Sequence, residues 1–178
     1  MLSRKIIVPV ALVVILLSLS VWIFLVTNNK VVFGYNINYQ PTQPIAYSHK
    51  LHAGKYKIDC RYCHSNVDKS RHATIPSLNI CMNCHLSVKT GSPLIQKLSQ
   101  QYINNKPVEW QKVHLLPDYV KFDHSKHVNA GKKCQDCHGQ IENMEEVFQK
   151  ESLSMGWCVD CHRKKENNAP TSCVTCHY

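Results

Sequence analysis

Five times in this chain, two cysteines stand three positions apart and a histidine directly follows the second cysteine. C-x-x-C-H is the attachment signature of c-type haem, in which both thiols bond to the porphyrin and the adjacent imidazole ligates the iron. No cysteine lies outside these motifs, so the sequence predicts five covalently bound haem c groups. The predicted thioether pairs and proximal iron ligands are Cys60 and Cys63 with His64, Cys81 and Cys84 with His85, Cys134 and Cys137 with His138, Cys158 and Cys161 with His162, and Cys173 and Cys176 with His177.

Other uses of paired cysteines explain the pattern less completely. Five disulfides would use all ten cysteines but give no reason for the repeated histidine. Zinc ribbons join two C-x-x-C pairs around one ion, which would leave one of the five pairs over. A thioredoxin-like redox site has one C-x-x-C beside a βαβ pattern, which the sequence does not show. Haem attachment is therefore the favoured interpretation.

The N-terminal region predicts a single membrane anchor. Residues 6–26 are apolar apart from one proline and two serines, and as a helix they would extend about 32 Å, enough to cross the hydrocarbon core of a bilayer. A cleaved signal peptide is the alternative, but its apolar region is usually only about 7–15 residues long and ends at an A-x-A-like site. The residues that follow here are Thr27-Asn28-Asn29-Lys30.

The charges that flank the span predict its orientation. Arg4 and Lys5 precede it, so the positive-inside rule places residues 1–5 in the cytoplasm. The rest of the chain would then lie on the periplasmic side of a bacterial inner membrane, where thioether-linked haem is normally assembled.

The formal charge of +9 at first suggests binding to nucleic acid or to an anionic membrane surface. Five haems, however, would bring ten propionates and lower that charge from +9 to about −1. The lysines are better interpreted as counter-charges to propionates and as ordinary solvated surface. No nucleic-acid partner is predicted.

The chain beyond the anchor divides into segments of different character. Residues 27–46 are rich in asparagine, glycine and proline and predict an extended tether. Residues 47–90 predict a two-haem lobe and residues 113–178 a three-haem lobe. Residues 91–112 join them and are predicted to contain a connecting helix, because apolar residues recur at helical spacing over 93–105. Residues 140–153 are a second candidate helix, and no strand pattern is convincing.

The size of the chain limits its core. About 150 residues remain beyond the anchor for five haems, too few to bury a conventional apolar core around each cofactor. The predicted fold is a multihaem cytochrome c: mostly irregular, with short α-helices wrapped around five haems, plus one N-terminal transmembrane helix.

The two lobes begin in the same way. Tyr47 leads into His49-x-x-His52, an Ala-Gly pair and a haem motif, and Phe122 leads into His124-x-x-His127 and the same elements. Histidines three apart lie on the same side of a helical turn, yet each can point to a different iron. The repeat therefore predicts that each turn joins two haems.

The chain has eleven histidines, of which five are proximal and six are spare. The spare histidines are His49, His52, His72, His114, His124 and His127. Six candidates for five distal positions indicate bis-histidine ligation throughout. A six-coordinate iron of this kind has no open position for substrate, which favours electron transfer over catalysis.

The H-x-x-H turns resemble those of small trihaem cytochromes. The resemblance implies that the first histidine serves the haem just downstream and the second serves the last haem of the lobe. It therefore implies the pairs His49–His64, His52–His85, His124–His138 and His127–His177. The haem at His162 is left to His114, favoured because it enters the second lobe, or to His72, with Met155 as a weaker candidate that would raise the haem potential.

Longer segments are similar to one respiratory family. The sequences QPIAYSHKLHAGKYKIDCRYCH, IPSLNICMNCH, EWQKVHLLPDYVKFDHSKHVNAG and MGWCVDCHR, all within residues 43–178, resemble the pentahaem cytochrome subunit of bacterial alternative complex III. The resemblance implies electron transfer within a quinol:electron-acceptor oxidoreductase. Implied partners are an iron–sulfur subunit, multi-span membrane subunits that handle the quinol, a monohaem cytochrome c, and a terminal oxidase or soluble cytochrome c as acceptor.

Two other functions remain as alternatives. A catalytic multihaem reductase acting on nitrite or hydroxylamine needs a five-coordinate haem, sometimes attached through C-x-x-C-K, whereas all five motifs here end in histidine. A membrane-anchored haem quinol dehydrogenase of nitrate or nitrite respiration often begins with C-x-x-C-H-x-M. Here Ser65 and Asn66 follow His64.

Overall fold

The computed structural model describes residues 4–27 and 36–178. Residues 1–3 of the predicted cytoplasmic segment and residues 28–35 of the predicted tether lie outside this description. The chain divides into two compact units between Asn36 and Ile37.

The first unit contains one long helix, α1, which runs from Arg4 to Thr27. Its segment Ile6–Thr27 has a mean hydropathy of 2.9 and no buried residues, so it is long and apolar enough to cross a membrane. The hydroxyls of Ser18 and Ser20 donate to the carbonyls of Ile15 and Leu17, each at 2.8 Å. These polar groups are therefore satisfied within the helix, as hydrocarbon surroundings require.

The second unit is built from short helices joined by irregular segments. Within residues 37–178 no strand is formed. The α-helices are α2 (Cys60–Cys63), α3 (Leu78–His85), α4 (Pro93–Ile103), α5 (His124–Asn129), α6 (Gln135–His138) and α7 (Met155–His162). A π-helical turn spans Lys50–Lys55, and 3₁₀ turns span Ile141–Asn143 and Cys173–Thr175. Helical structure without strands agrees with the predicted multihaem fold.

The apolar core is small. Among the described residues, the buried apolar side chains are those of Ile45, Val67, Met82, Leu98 and Met144. Ile45, Met82 and Leu98 form one cluster, in which α3 packs against α4. Because so few apolar side chains are buried in the second unit, packing between its own side chains gives it little stabilisation.

Helix α4 lies where apolar residues at helical spacing predicted a connecting helix. Pro93 is at its first position, where the missing N–H costs nothing. Its inward-facing residue Leu98 is 5% exposed.

The second candidate helix, residues 140–153, does not form; that interpretation was wrong. Only the 3₁₀ turn Ile141–Asn143 is helical there. The following backbone instead runs beside residues 38–39, with the Asn38 N–H donating to the Gln149 carbonyl at 2.8 Å and the Gln149 N–H to the Tyr39 carbonyl at 3.0 Å. The Gln149 side chain is fully buried and its Oε1 accepts from the Leu115 N–H at 3.2 Å. These non-local hydrogen bonds replace the helical ones.

Candidate haem-binding sites

The two H-x-x-H turns have the same local geometry. Tyr47 meets His49 edge-on at 4.8 Å between ring centres and stacks on His52 at 4.5 Å. Phe122 meets His124 edge-on at 4.8 Å and stacks on His127 at 4.4 Å. The aromatic residue two positions before each turn therefore fixes both imidazoles by packing.

Backbone carbonyls orient most of the histidines. An imidazole can bind a metal through Nε2 when its Nδ1–H donates a hydrogen bond. That bond fixes the tautomer and the orientation of the ring. Among the described histidines, Nδ1 contacts a backbone carbonyl at 2.6–3.0 Å in these pairs: His52–Ser48, His64–Thr74, His85–Val88, His124–Arg71, His127–Asp123, His162–Pro170 and His177–Tyr119. Each of these rings keeps Nε2 for a metal.

Three of these imidazoles face a proximal histidine at a separation suited to one shared metal. An imidazole nitrogen binds a transition metal at about 2 Å, and the ring centre lies roughly 1 Å behind it, so two imidazoles on opposite sides of one metal have centres about 6 Å apart. The observed ring-centre distances are 6.2 Å for His52–His85, 6.3 Å for His124–His138 and 5.9 Å for His127–His162.

The position of His127 differs from the pair implied by the trihaem resemblance. His127 faces His162, not His177. The ring in contact with His177 among the described residues is that of Tyr119, at 5.9 Å. The last motif packs on residues 119–121, where the Lys121 N–H donates to the Cys176 carbonyl at 2.8 Å.

His49, predicted to pair with His64, is buried and close enough to His64 to interact with it electrostatically. The pKa of His49 is lowered to about 4, mainly by burial and to a smaller extent by the neighbouring His64 and His52. A neutral imidazole is the form that binds a metal. Its buried Nδ1 has no hydrogen-bond partner among the described residues, unlike Nδ1 of His124 at the corresponding position.

His114 does not face His162, the pairing favoured from the sequence. Its Nε2 lies 3.1 Å from Nδ1 of His138, with the two rings edge to face at 4.3 Å. Burial lowers the pKa of His138 to about 3, and the neighbouring His114 contributes to the same shift. His114 therefore holds His138 in the way that carbonyls hold the other proximal histidines.

The remaining candidates for distal ligands are on the surface. His72 is exposed, and its charge contributes to the lowered pKa of His124, which burial lowers most. Met155 begins α7 and is 67% exposed. Neither is in ring contact with a proximal histidine within the described part of the chain.

The ten thiols are all free, and several interact electrostatically with thiols of another motif. Burial raises the pKa of Cys63, and Cys84 raises it further. Burial also raises the pKa of Cys137 to about 11, with Asp136, Cys161 and Cys158 adding to the shift. The attachment motifs are thus close together in space.

These residues fit covalently bound haem c better than disulfides or zinc. No described cysteine is in a disulfide, and residues 4–27 and 36–178 bring together no group of three His, Cys, Asp or Glu that would hold a metal by themselves. Three imidazole pairs have the ring-centre separation expected of two ligands on one metal, and a planar ring between them would supply the remaining positions. Paired thiols beside one imidazole of each pair supply the attachment. The carbonyl acceptors of Thr74, Pro170 and Tyr119 carried no sequence signal, because every residue type has a carbonyl.

Comparison with known proteins agrees with this chemistry. Residues 120–178 match the family described as cytochrome c7 and related cytochrome c. A relative in Nitratidesulfovibrio vulgaris, the multiheme cytochrome c subunit of a menaquinone reductase, is 28% identical over 163 aligned residues, which cover 78% of each chain. The helical fold, the C-x-x-C-H motifs and the matched segment make this chain a multihaem c-type cytochrome with a cytochrome c7-like fold and a candidate N-terminal membrane anchor.

Proposed function

We propose that this chain is a membrane-anchored pentahaem cytochrome that relays electrons within a quinol-linked respiratory complex of the alternative complex III type. The observation that carries the proposal is the opposition of His52, His124 and His127 to three different proximal histidines at 5.9–6.3 Å. These three pairs would hold three irons, each with an imidazole on both sides. Bound haem c supplies reversible one-electron exchange, and closed coordination keeps substrates away.

The chain's own residues would bind the cofactors in defined roles. The cysteines of the five motifs would attach five haems, and the five motif histidines would be the proximal ligands. The proposed distal ligands are His49 for the haem at His64, His52 for His85, His124 for His138, and His127 for His162. For the haem at His177 the proposed distal ligand is His72, because Nε2 of the other candidate, His114, is engaged with His138.

Two similarities support the link to quinones. The relative in Nitratidesulfovibrio vulgaris is a subunit of a menaquinone reductase. The segments within residues 43–178 resemble the pentahaem subunit of alternative complex III. The proposed partners are therefore quinone-handling membrane subunits, an iron–sulfur subunit, a monohaem cytochrome c and a periplasmic acceptor. Helix α1 would anchor the chain in the inner membrane with residues 37–178 on the periplasmic side.

Electron paramagnetic resonance of the oxidised, haem-loaded protein tests the ligation. We expect low-spin ferric signals that account for all the iron. A substantial high-spin signal would contradict closed coordination and would revive the catalytic reductase alternative.

Mild detergent extraction from native membranes tests the assembly. We expect the haem protein to co-purify with iron–sulfur centres, with five haems per chain by mass spectrometry. A chain that purifies alone and oxidises quinol by itself would instead support a haem quinol dehydrogenase.

A further inference from the structure

The two lobes contact each other through corresponding backbone positions. The Lys50 N–H donates to the Met144 carbonyl at 2.9 Å, and the Ser125 N–H donates to the Ser70 carbonyl at 3.2 Å. Lys50 and Ser125 each directly follow the first histidine of an H-x-x-H turn. Met144 and Ser70 each lie six positions after the proximal histidine of the opposite lobe, 144 against 138 and 70 against 64. Equivalent hydrogen bonds are therefore formed twice, once from the first lobe to the second and once from the second lobe to the first.

A second contact repeats in the same way. Gly54 and Asn129 each lie five positions after the first turn histidine, and Glu142 and Asp68 each lie four positions after the proximal histidine of the opposite lobe. The Asn129 Nδ2 donates to the Asp68 carbonyl at 3.0 Å. At Gly54 the backbones approach so closely that a Cβ atom would lie 2.2 Å from the Glu142 carbonyl oxygen. Glycine is used because no larger residue fits.

Corresponding residues also meet each other directly. Cys60 and Cys134 are the first cysteines of the two corresponding motifs, and their side chains lie within interaction distance of each other. In a two-fold interface, residue i contacts j while j contacts i, and a residue at the axis contacts its own counterpart. The three contacts together have this pattern.

Contacts within each lobe order the other motifs around this junction. The Asn83 Nδ2 of the second motif donates to the Tyr62 hydroxyl of the first at 3.0 Å. In the second lobe, Cys137 of the third motif neighbours Cys158 and Cys161 of the fourth, and Cys158 neighbours Cys176 of the fifth. Within the lobes these interactions link the second motif to the first, the third to the fourth and the fourth to the fifth.

We infer that a two-fold-like interface joins the lobes and sets the haem-attachment sites at Cys60–His64 and Cys134–His138 against each other, so that these two sites form the junction between the two groups of cofactors. The inference rests on the proposed pentahaem function. In the order of the chain, the second motif is followed by α4 and then by the third motif. The inferred arrangement instead places the first motif next to the third.

Locating the irons in the full-length, haem-loaded protein tests the order directly. Iron anomalous scattering or electron cryo-microscopy would give all iron–iron distances. Among the iron pairs that have one iron in each lobe, we expect the irons bound by His64 and His138 to be separated by the shortest distance. A shorter distance between any other such pair, for example between the irons of His85 and His138, would overturn the inference. An iron count other than five would contradict the proposed function while leaving the contact between these two sites to be judged from the same map.

Amide hydrogen exchange of the haem-loaded protein tests whether the repeated contacts form one interface. Gly54→Ala places a methyl group against the Glu142 carbonyl. We expect faster exchange not only over 141–144 but also at residues 124 and 125, whose amides donate to the opposite half of the interface. Gly91→Ala is the control, since a Cβ there meets nothing within 4 Å. Faster exchange confined to 141–144 would show two independent contacts and overturn the two-fold interface.

A second, milder variant tests the same interface if Gly54→Ala does not fold. Asn129→Ala removes one hydrogen bond from the other half. We expect it to accelerate exchange at Lys50, which donates to Met144 across the interface. Unchanged exchange at Lys50, with local acceleration near Asn129, would overturn the inference in the same way.

Discussion

His114 holds His138 through a bond between two imidazoles, Nε2 to Nδ1, at 3.1 Å. The other proximal histidines, His64, His85, His162 and His177, are held by backbone carbonyls. A side-chain acceptor can be removed by substitution, whereas a carbonyl cannot. The haem site at His138 is therefore the one where the hydrogen bond behind the proximal ligand can be tested.

We expect His114→Ala to leave His138 as an iron ligand but to deprive its buried Nδ1–H of an acceptor, at a cost of about 1–3 kcal/mol. Potentiometric titration should show one haem with a changed midpoint potential, and the resonance spectrum should remain low-spin. His114→Gln, which offers an amide oxygen, should restore part of the change. A new high-spin signal in His114→Ala would show instead that His114 is an axial ligand, as its place in the sequence first indicated.

The contact between His127 and His162 leads to a prediction about ligand exchange. Methionine in place of a distal histidine raises haem potential, so His127→Met should raise the potential of one haem. The same rise should persist when Cys173 and Cys176 are replaced by alanine to remove the last haem. Its disappearance in that variant would assign His127 to the haem at His177. Ile103→Met, at a position that is 79% exposed and outside the haem motifs, tests whether any new methionine has this effect.

How far the sequence predicted these sites depends on the distance along the chain between the groups concerned. The attachment motifs and the H-x-x-H turns lie within a few residues, so their chemistry is readable directly. The partner of His127 depends on the path of residues 163–172, which carry the last motif back to Tyr119. The position of His114 depends on its neighbour Leu115, whose N–H donates a hydrogen bond to Oε1 of the distant Gln149. Contacts of this kind have no local pattern.

Gln149 provides a test of that buried connection. Its Oε1 accepts from the Leu115 N–H at 3.2 Å and its Nε2 donates to the Glu151 carbonyl at 3.0 Å, with the side chain fully buried. Gln149→Met keeps the volume but leaves both backbone groups unpaired, so we expect a loss of about 1–3 kcal/mol in the free energy of unfolding. Gln40→Met is the control, because Gln40 makes an exposed hydrogen bond to the Glu146 carbonyl. Equal effects of the two substitutions in chemical denaturation would contradict the role of burial.

Two serines at helix N-termini differ in one hydrogen bond. The Ser154 Oγ accepts from the Trp157 N–H at 3.2 Å at the start of α7, whereas Ser77 at the start of α3 makes no such bond. Ser154→Ala should therefore lower the free energy of unfolding by about 1 kcal/mol, and Ser77→Ala should change it much less. Thermal unfolding of the haem-loaded variants would measure both. A larger loss at Ser77 would argue against the cap geometry at α7.

The small apolar core predicts that the second unit depends on its cofactors. In a chain whose ten cysteines are replaced by alanine, we expect residues 37–178 to show no cooperative thermal transition and to be degraded by protease within the time that leaves the haem-loaded protein intact. Helix α1 should still partition into membranes, because its apolar surface does not depend on haem. A sharp transition in the cysteine-free chain would show that the few buried apolar residues suffice.

The reciprocal contacts between the lobes also bear on how such a chain arose. Two copies of one small protein that associate around a two-fold axis make every contact twice, and the residue at the axis touches itself. Cys60 against Cys134, with Lys50–Met144 matched by Ser125–Ser70, preserves that arrangement within a single polypeptide. Duplication and fusion of a gene for a self-associating ancestor produces this pattern. Gly54 and Asn129 occupy corresponding positions and contact corresponding carbonyls, so the two halves keep the same contact with different residues.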